Sequence, residues 1–509
     1  MNTRCLLLHS AVATAIALTW AASPAAAQGN DAGAGSWQLI GLSSPVDFQV
    51  PAPQATSSQA YQSELAAIRT AQSQLTDVQR NAIEYWSVGG VLRWNQMLLE
   101  LVARADLPPA PRADGTYPVP DANNPFADPQ FPFGNPPYAA RAYSYVTVAQ
   151  FDSLKVAWYY KYLYNRPAPS SVDSTIKALI PTNGLPAYPS EDAVLSGVTV
   201  EMLKLLFPTS VDLINAKAAE QQQVALWSGK ATASDIAAGF ALGQAIAPVF
   251  IARARGDGMG AAGGNAALWQ SLADAATARG EIPWKSLDIP PRPPMLPNFG
   301  KVKAWMMTPD DVINERPGVA PSTSSALMAR DLAEVKQAVS RLTRAQLAIV
   351  YKWADGASTP TPPGHWNFIA EPYVQAAHYS EVRAARVFAL LNIAMHDAAV
   401  GCWDAKYVSF NPRPTQLDPS IRTVIAIPNF PAYESGHSTF SAAAADVLGY
   451  LFPSGTTYFN AQMEEAAISR LYGGIHYRTD IEVGKQHGKR IGEYTVRFAV
   501  HDGAAGSLP

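Results

Sequence analysis

The sequence predicts an all-α fold of two tandem helical bundles that arose by internal duplication. Apolar residues recur at helical periods through most of the chain, and alternating β-branched runs are few. Many residues also repeat at constant offsets of 245 or 267 positions. With 509 residues, 48% of them hydrophobic, the chain is long enough for two or three units with large cores.

Residues 1–27 have the layout of a secretory signal peptide. Arg4 precedes an apolar stretch over 6–20, and three alanines at 25–27 form a cleavage site. No later segment reaches the roughly 18 uninterrupted apolar residues that a membrane helix needs. The sequence therefore predicts a periplasmic or secreted protein without a transmembrane segment.

The repeat defines two copies of one helical unit. Matched positions include Trp86 with Trp353 at offset 267, and Pro186-Ala187-Tyr188 with Pro431-Ala432-Tyr433 at offset 245. A proline-rich stretch at 289–297 cannot be helical and predicts a stiff connector. We therefore expect an N-terminal copy over 28–300 and a C-terminal copy over 301–509.

Local signals predict helices in both copies. Thr76 with Gln79, and Thr343 with Gln346, have the spacing of capping boxes. In the second copy, helical periodicity covers four segments, which are 379–402, 437–451, 457–472 and 478–500.

Histidine is distributed unevenly between the copies. Apart from His9 in the predicted signal peptide, every histidine lies between positions 365 and 501. Any histidine-dependent chemistry therefore belongs to the second copy, and we expect the first copy to be a structural partner.

Three clusters in the second copy contain basic and imidazole side chains. Their residues are Lys406 with Arg413-Pro414, then Ser435-Gly436-His437, then Ser469-Arg470 with His476 and Asp480. Lysine and arginine bind phosphate-like oxygens through charge-assisted hydrogen bonds, and a glycine amide at a helix start approaches an anion closely. Asp480 lies four residues after His476, so on one helix face it can orient that imidazole. Together the clusters predict a site for a tetrahedral oxyanion.

The clusters resemble the signature of a superfamily, the type 2 phosphatidic acid phosphatases and vanadium-dependent haloperoxidases. That signature is Lys-x6-Arg-Pro, then Pro-Ser-Gly-His, then Ser-Arg-x5-His-x3-Asp. All three parts occur here in order over 406–480, with one departure, Glu434 in place of the usual proline. The surroundings of His437 and His476 are similar to those in secreted bacterial members.

The resemblance implies a role for each residue. Oxyanion oxygens would be bound by Lys406, Arg413, Ser435, Gly436 and Arg470. His476 would be the nucleophile or the vanadium ligand, Asp480 would orient it, and His437 would be the acid and base. The first copy retains Lys161, Arg166-Pro167 and Ser190, but it has Glu191-Asp192 in place of Gly436-His437. Ala225 and Ala231 replace Arg470 and His476, so the first copy is expected to be inactive.

The superfamily uses one site for two reactions. A haloperoxidase would hold vanadate on His476 and oxidise halide with peroxide, which Lys406 would polarise. A secreted acid phosphatase would need no cofactor and would hydrolyse phosphomonoesters through a phosphohistidine at the same residue. Trp403 and Phe430 resemble the aromatic residues that flank the halide site of chloroperoxidases, although core packing also explains them. These aromatics and the length of the chain favour the haloperoxidase.

Further residues bear on the halide site and on a substrate channel. Glu434 would disfavour a bound halide if its side chain pointed inward, and would cap the following helix if it pointed outward. His365, His396 and Asp397 are secondary candidates for a substrate channel, although the match of Asp397 with Asp152 favours a structural role.

The remaining histidines, His378, His487 and His501, are expected at surface or packing positions.

With 38 Lys and Arg against 41 Asp and Glu, and no basic block, the sequence indicates a small-molecule substrate and no nucleic acid. A non-catalytic anion-binding exoprotein is a third hypothesis.

Overall fold

In the computed structural model, which describes residues 30–117 and 132–504, the chain folds into helices joined by loops, and no β-strand occurs in these ranges. The predicted all-α class is confirmed. The predicted signal peptide, residues 1–27, lies outside the described residues.

The described ranges contain eighteen α-helices, nine before residue 300 and nine after it. The first nine are α1 (Gln59–Ser73), α2 (Asp77–Trp86), α3 (Gly90–Ala105), α4 (Pro136–Tyr164), α5 (Pro169–Val172), α6 (Glu191–Leu206), α7 (Val211–Trp227), α8 (Ala233–Arg255) and α9 (Ala266–Ala278). The others are α10 (Pro309–Glu315), α11 (Ala326–Ser340), α12 (Arg344–Lys352), α13 (Thr361–Ala376), α14 (Glu381–Ser409), α15 (Pro414–Leu417), α16 (Gly436–Leu451), α17 (Thr456–Tyr472) and α18 (Arg478–His501).

The helices of the two copies match in order and register. Helices α4 to α8 begin 245 residues before α14 to α18, and α1 and α2 begin 267 residues before α11 and α12. Both predicted capping boxes, at Thr76 and Thr343, are present. We retain 28–300 and 301–509 as the proposed limits of the two copies.

The central pair of helices is α4 and α14, which pack against each other. One continuous apolar core includes residues of both copies, so the two bundles are not separate cores. The stretches Ala233–Ala261 and Glu381–Leu417 are long and apolar enough to cross a membrane by length and composition. In Glu381–Leu417 the most apolar window is entirely buried, as in a core helix, whereas 39% of the Ala233–Ala261 window is buried.

Each central helix also holds a chain segment through a buried carboxylate. Asp152 accepts hydrogen bonds from the backbone amides of residues 40–42 at 2.7–3.1 Å. Asp397 accepts them from the amides of Trp305 and Met306 at 2.7 Å. The structural role expected for Asp397 is therefore observed.

Glycines allow α18 to lie directly against α16. A Cβ on Gly488 would be 2.1 Å from the carbonyl oxygen of Thr439, and one on Gly484 would be 2.8 Å from that of Ser435. The first copy has the same arrangement, with Gly239 and Gly243 at the matching positions of α8. This contact brings the start of α18 to the start of α16, where two of the sequence clusters lie.

We expect Gly488→Ala to destabilise the protein, because its methyl group would push α16 and α18 apart. Such overpacking costs about 1–3 kcal/mol, measurable by urea unfolding. Gly449→Ala in α16 is the control, since its Cβ would meet its nearest atom, on Thr456, at 3.4 Å. An equal loss of stability in both variants would contradict the close-contact explanation.

Candidate active site

The residues of the three clusters lie at helix ends that meet in the second copy. Lys406 is in the last turn of α14, and Arg413 immediately precedes α15. Ser435 caps the N-terminus of α16 and Gly436 is its first residue. Arg470 lies in the last turn of α17, and Asp480 in the first turn of α18.

His476 is held between a carboxylate and a guanidinium. Its Nδ1 lies 2.9 Å from Oδ2 of Asp480, and its Nε2 lies 3.0 Å from a terminal nitrogen of Arg413. The same carboxylate oxygen accepts the backbone amide of Tyr477 at 3.1 Å. Asp480 therefore lies where it can orient His476, and the other imidazole nitrogen faces a cation.

Lys406 and Arg413 are tied to the segment that leads into α16. The Nζ of Lys406 donates to the carbonyl oxygens of Pro431 and Ala432 at 3.1 Å, and also to that of Glu434. Arg413 donates to the carbonyl oxygen of Phe430 at 3.0 Å. These bonds position both cations beside the start of α16.

Arg470 and Ser435 complete the group. Arg470 donates to the carbonyl oxygen of Trp353 and, at 2.8 Å, to the hydroxyl of Ser469. The amide of Ser435 donates to the carbonyl oxygen of Asp480 at 3.0 Å, which joins the starts of α16 and α18.

His437 has a partner that the sequence analysis missed, Asp355. Its Nε2 lies 3.3 Å from Oδ2 of Asp355, within ion-pair distance but outside hydrogen-bond geometry. A signal was available, because the repeat aligns Asp355 with Val88 of the histidine-free copy. By contrast, His396 contacts Asp397 at 3.3 Å and packs against Phe299, neither of which belongs to this group.

Burial and three cations lower the pKa of His476. Burial, together with the charges of Arg413, Lys406 and Arg470, holds the pKa of His476 well below its ordinary value. Burial and Arg470 lower the pKa of His437 to about 4. Both imidazoles are therefore neutral in the ligand-free site near neutral pH.

The cations themselves are buried without a paired carboxylate. Lys406, Arg413 and Arg470 are at most 1% exposed, and among the described residues none of them forms an ion pair. Burial lowers the pKa of Lys406 to about 8 and those of both arginines to about 10. One Arg413 nitrogen, Nη2, is buried without a hydrogen-bond partner. Because buried charges require compensation, this donor set fits a tetrahedral oxyanion such as vanadate or phosphate.

The corresponding place in the first copy is neutralised by the chain's own carboxylates. Lys161 lies 2.7 Å from Glu191, which matches Gly436. Lys230 pairs with Glu191 at 2.9 Å and with Asp192 at 2.6 Å. Despite its burial, Glu191 has a pKa held below the usual value by these two lysines.

The sequence alignment of one arginine in the first copy was wrong. Ala168 precedes α5 as Arg413 precedes α15, so Arg166 corresponds to Asn411 and not to Arg413. Arg166 instead pairs with Asp235, the counterpart of Asp480. The Arg-Pro dipeptides misled the comparison because they stand two positions apart in the two copies.

Trp403 and Phe430 lie beside the cations. Their ring centroids are 5.1 Å apart, and the Phe430 centroid is 5.1 Å from Nζ of Lys406 and 4.9 Å from the guanidinium carbon of Arg413. Both side chains are buried, at 0% and 7% exposure. This arrangement accommodates both earlier interpretations, core packing and a wall of a halide pocket.

Glu434 does not follow either orientation considered from the sequence. Its side chain is fully buried, and its Oε1 lies 2.6 Å from Nδ1 of His487 and accepts the hydroxyl of Thr439 at 3.2 Å. His487, expected at a surface or packing position, is therefore the buried hydrogen-bonding partner of Glu434. His378 and His501 are exposed, as expected.

Comparisons with known proteins agree with the motifs. Residues 453–502 match a family model described as the VCPO second helical-bundle domain. A bacterial vanadium-dependent iodoperoxidase of known structure is 22% identical, with a TM-score of 0.55 over 80% of this chain and 95% of that one.

A holo-type bacterial vanadium-dependent chloroperoxidase is 15% identical, with a TM-score of 0.50 over 74% of this chain and 95% of that one. No curated protein matches the chain. The chain thus has the fold of the bacterial vanadium haloperoxidases, and its C-terminal motifs and family-model match support its resemblance to the superfamily of these enzymes and the type 2 phosphatidic acid phosphatases.

Proposed function

We propose that this protein binds vanadate in the second copy and oxidises halide with peroxide. The observation that carries the proposal is the group of three buried cations near His476, none of which pairs with a carboxylate among the residues that the structure describes. A non-catalytic exoprotein has no need for an imidazole held between Asp480 and Arg413.

The protein's contribution would be to hold and orient the anion. Lys406, Arg413 and Arg470 would bind its oxygens, assisted by Ser435 and the amide of Gly436 at the N-terminus of α16. His476 would hold vanadium through Nε2, the nitrogen that faces Arg413 in this structure. Asp480 keeps Nδ1 of the same imidazole occupied, so Nε2 is the nitrogen available for ligation.

Proton transfer would fall to His437. Vanadate, when bound, supplies Lewis-acid activation of peroxide. His437 would take a proton from the incoming peroxide, with Asp355 at 3.3 Å stabilising the imidazolium that forms. Trp403 and Phe430 would exclude water from the neighbouring space in which halide reacts.

We also propose that the substrates are small molecules and that the protein works in the periplasm or outside the cell.

Two parallel assays test the proposal on the mature protein. One supplies vanadate, peroxide and iodide, bromide or chloride, and the other supplies a generic phosphomonoester. Halogenation that depends on vanadate is the expected result. Ester cleavage that vanadate inhibits would contradict the proposal and identify a phosphatase that uses His476 as its nucleophile.

Anion binding should weaken as pH rises above about 8. Burial lowers the pKa of Lys406 to about 8, so the free site loses one of its cations above that value. Sulfate is a suitable probe because its charge is constant in this range. We expect its affinity to fall by up to about tenfold per pH unit, measured by isothermal titration calorimetry.

The control for this pH dependence is Lys406→Met. This variant should bind sulfate more weakly and without the same decline above pH 8. If Lys406→Met showed the full wild-type decline, Lys406 would not be the titrating group.

A further inference from the structure

A second histidine contacts the carboxylate that faces His437. The Nδ1 of His365 lies 3.0 Å from Oδ1 of Asp355, while Nε2 of His437 lies 3.3 Å from Oδ2. The two imidazoles therefore share one carboxylate, each on a different oxygen. The side chains are mostly buried, with exposures of 19% for His365, 9% for Asp355 and 14% for His437.

The ring of His365 packs against an indole. It stacks on the indole of Trp353, with centroids 4.0 Å apart and planes 12° apart. An indole face attracts cations, so a positively charged side chain at position 365 would have a favourable contact here. Trp353 is fully buried and its carbonyl oxygen accepts from Arg470, so the same residue positions His365 and an anion-binding cation.

Other charged groups face this trio from three elements. Glu465 and Arg470 lie on α17, and Arg470 acts on both Asp355 and His437. Lys352, at the end of α12, pairs with Glu465. Asp106, after α3, lies near Asp355 and is 4% exposed. The carboxylate hydrogen-bonded to His365 is that of Asp355, whereas Glu465 pairs with Lys352.

We propose that His365 is a positioning residue that competes with His437 for the Asp355 carboxylate, so that positive charge at position 365 weakens proton binding by His437. The inference rests on the acid–base role proposed for His437. When His365 is neutral, the charge of Asp355 is available to stabilise the His437 imidazolium. When His365 is protonated, it takes up part of that charge and His437 releases its proton more readily.

The causes of the pKa shifts of His437 and Asp355 agree with this competition. Burial and Arg470 are the main causes that lower the pKa of His437, and His365 adds to the decrease while Asp355 opposes it. For Asp355, burial would raise the pKa, but His365 and His437 outweigh it and hold that pKa below the usual value.

The test replaces His365 with a neutral and with a permanently charged side chain, as His365→Gln and His365→Arg. The pKa of His437 is followed by NMR in histidine-labelled protein, with its signal assigned by loss in His437→Gln. We expect it to be higher in His365→Gln than in His365→Arg by about one pH unit, with wild type between them. The pH profile of kcat/KM should shift in the same order.

A structural role alone would not shift the two variants in opposite directions. Equal His437 pKa values in His365→Gln and His365→Arg would overturn the proposal. If thermal unfolding shows that His365→Arg does not fold, His365→Lys replaces it. The same pair of substitutions at His378, which is exposed, is the matched control and should leave His437 unchanged.

The NMR titration also separates this inference from the proposed reaction. It needs neither vanadate nor turnover, so a protein without haloperoxidase activity would still show the charge competition. Conversely, if the enzyme is active but the pKa of His437 does not change with the charge at position 365, this inference is refuted and the proposed function is not.

Discussion

Replacing His476 with alanine should lower turnover by roughly 10³-fold or more, because His476 is the group proposed to ligate vanadium. The imidazole is only 2% exposed and lies between Asp480 and Arg413, so little else can take its place. Steady-state halogenation with vanadate measures the loss. Affinity for sulfate should fall far less, since Lys406, Arg413 and Arg470 remain.

This separation of turnover from affinity distinguishes an enzyme from a binding module. His501→Ala, at an exposed position near the end of α18, is the control and should be as active as wild type. Full halogenation by His476→Ala would refute the proposed site. Loss of all sulfate binding would show instead that the substitution disrupts the anion-binding site formed by Lys406, Arg413 and Arg470.

Replacing Glu434 with alanine should destabilise the fold by about 2–5 kcal/mol, because it leaves a cavity and an unsatisfied buried hydrogen-bonding group. Glu434 and His487 are both fully buried, and the carboxylate is the side-chain partner of His487 at 2.6 Å. Removing the carboxylate leaves a buried polar imidazole without this bond, and the free energy of unfolding in urea measures the cost. Glu493→Ala, on the exposed side of α18, is the control and should change stability little.

The pairing itself is tested by a double-mutant cycle. His487→Leu alone should also destabilise, because it leaves the Glu434 carboxylate buried. The combination of Glu434→Ala with His487→Leu removes both polar groups and should cost less than the two single changes together. Strict additivity would mean that the residues do not interact.

Much of the fold followed from local patterns. The four predicted segments of the second copy differ from α14, α16, α17 and α18 by at most two residues, apart from the C-terminal end of α14. That helix continues past residue 402 to Ser409 and ends where Phe410 adopts a left-handed conformation, with φ of 50°. A helix buried on all sides has no amphipathic pattern that marks its end.

Differences between the two copies indicate where the candidate site lies, but one sequence identity between them is misleading. The absence of histidine from the first copy predicts a site in the second copy, whereas the shared Arg-Pro dipeptide wrongly matches Arg166 with Arg413. Asp355 is also marked by a difference between the copies, since it replaces Val88 beside the repeated Trp and Gly. Motifs list the residues that a family shares and omit the partners that orient them.

By itself, the sequence determined the all-helical class, the duplication and the copy that contains the candidate site, because periodicity, caps and repeated residues are local properties of the chain. Only the tertiary structure decided that Glu434 binds His487, that Asp355 lies between His365 and His437, and that the first copy neutralises its own lysines. These contacts join residues of different helices. They depend on how the helices pack, and in particular on the close approach of α16 and α18 at Gly484 and Gly488.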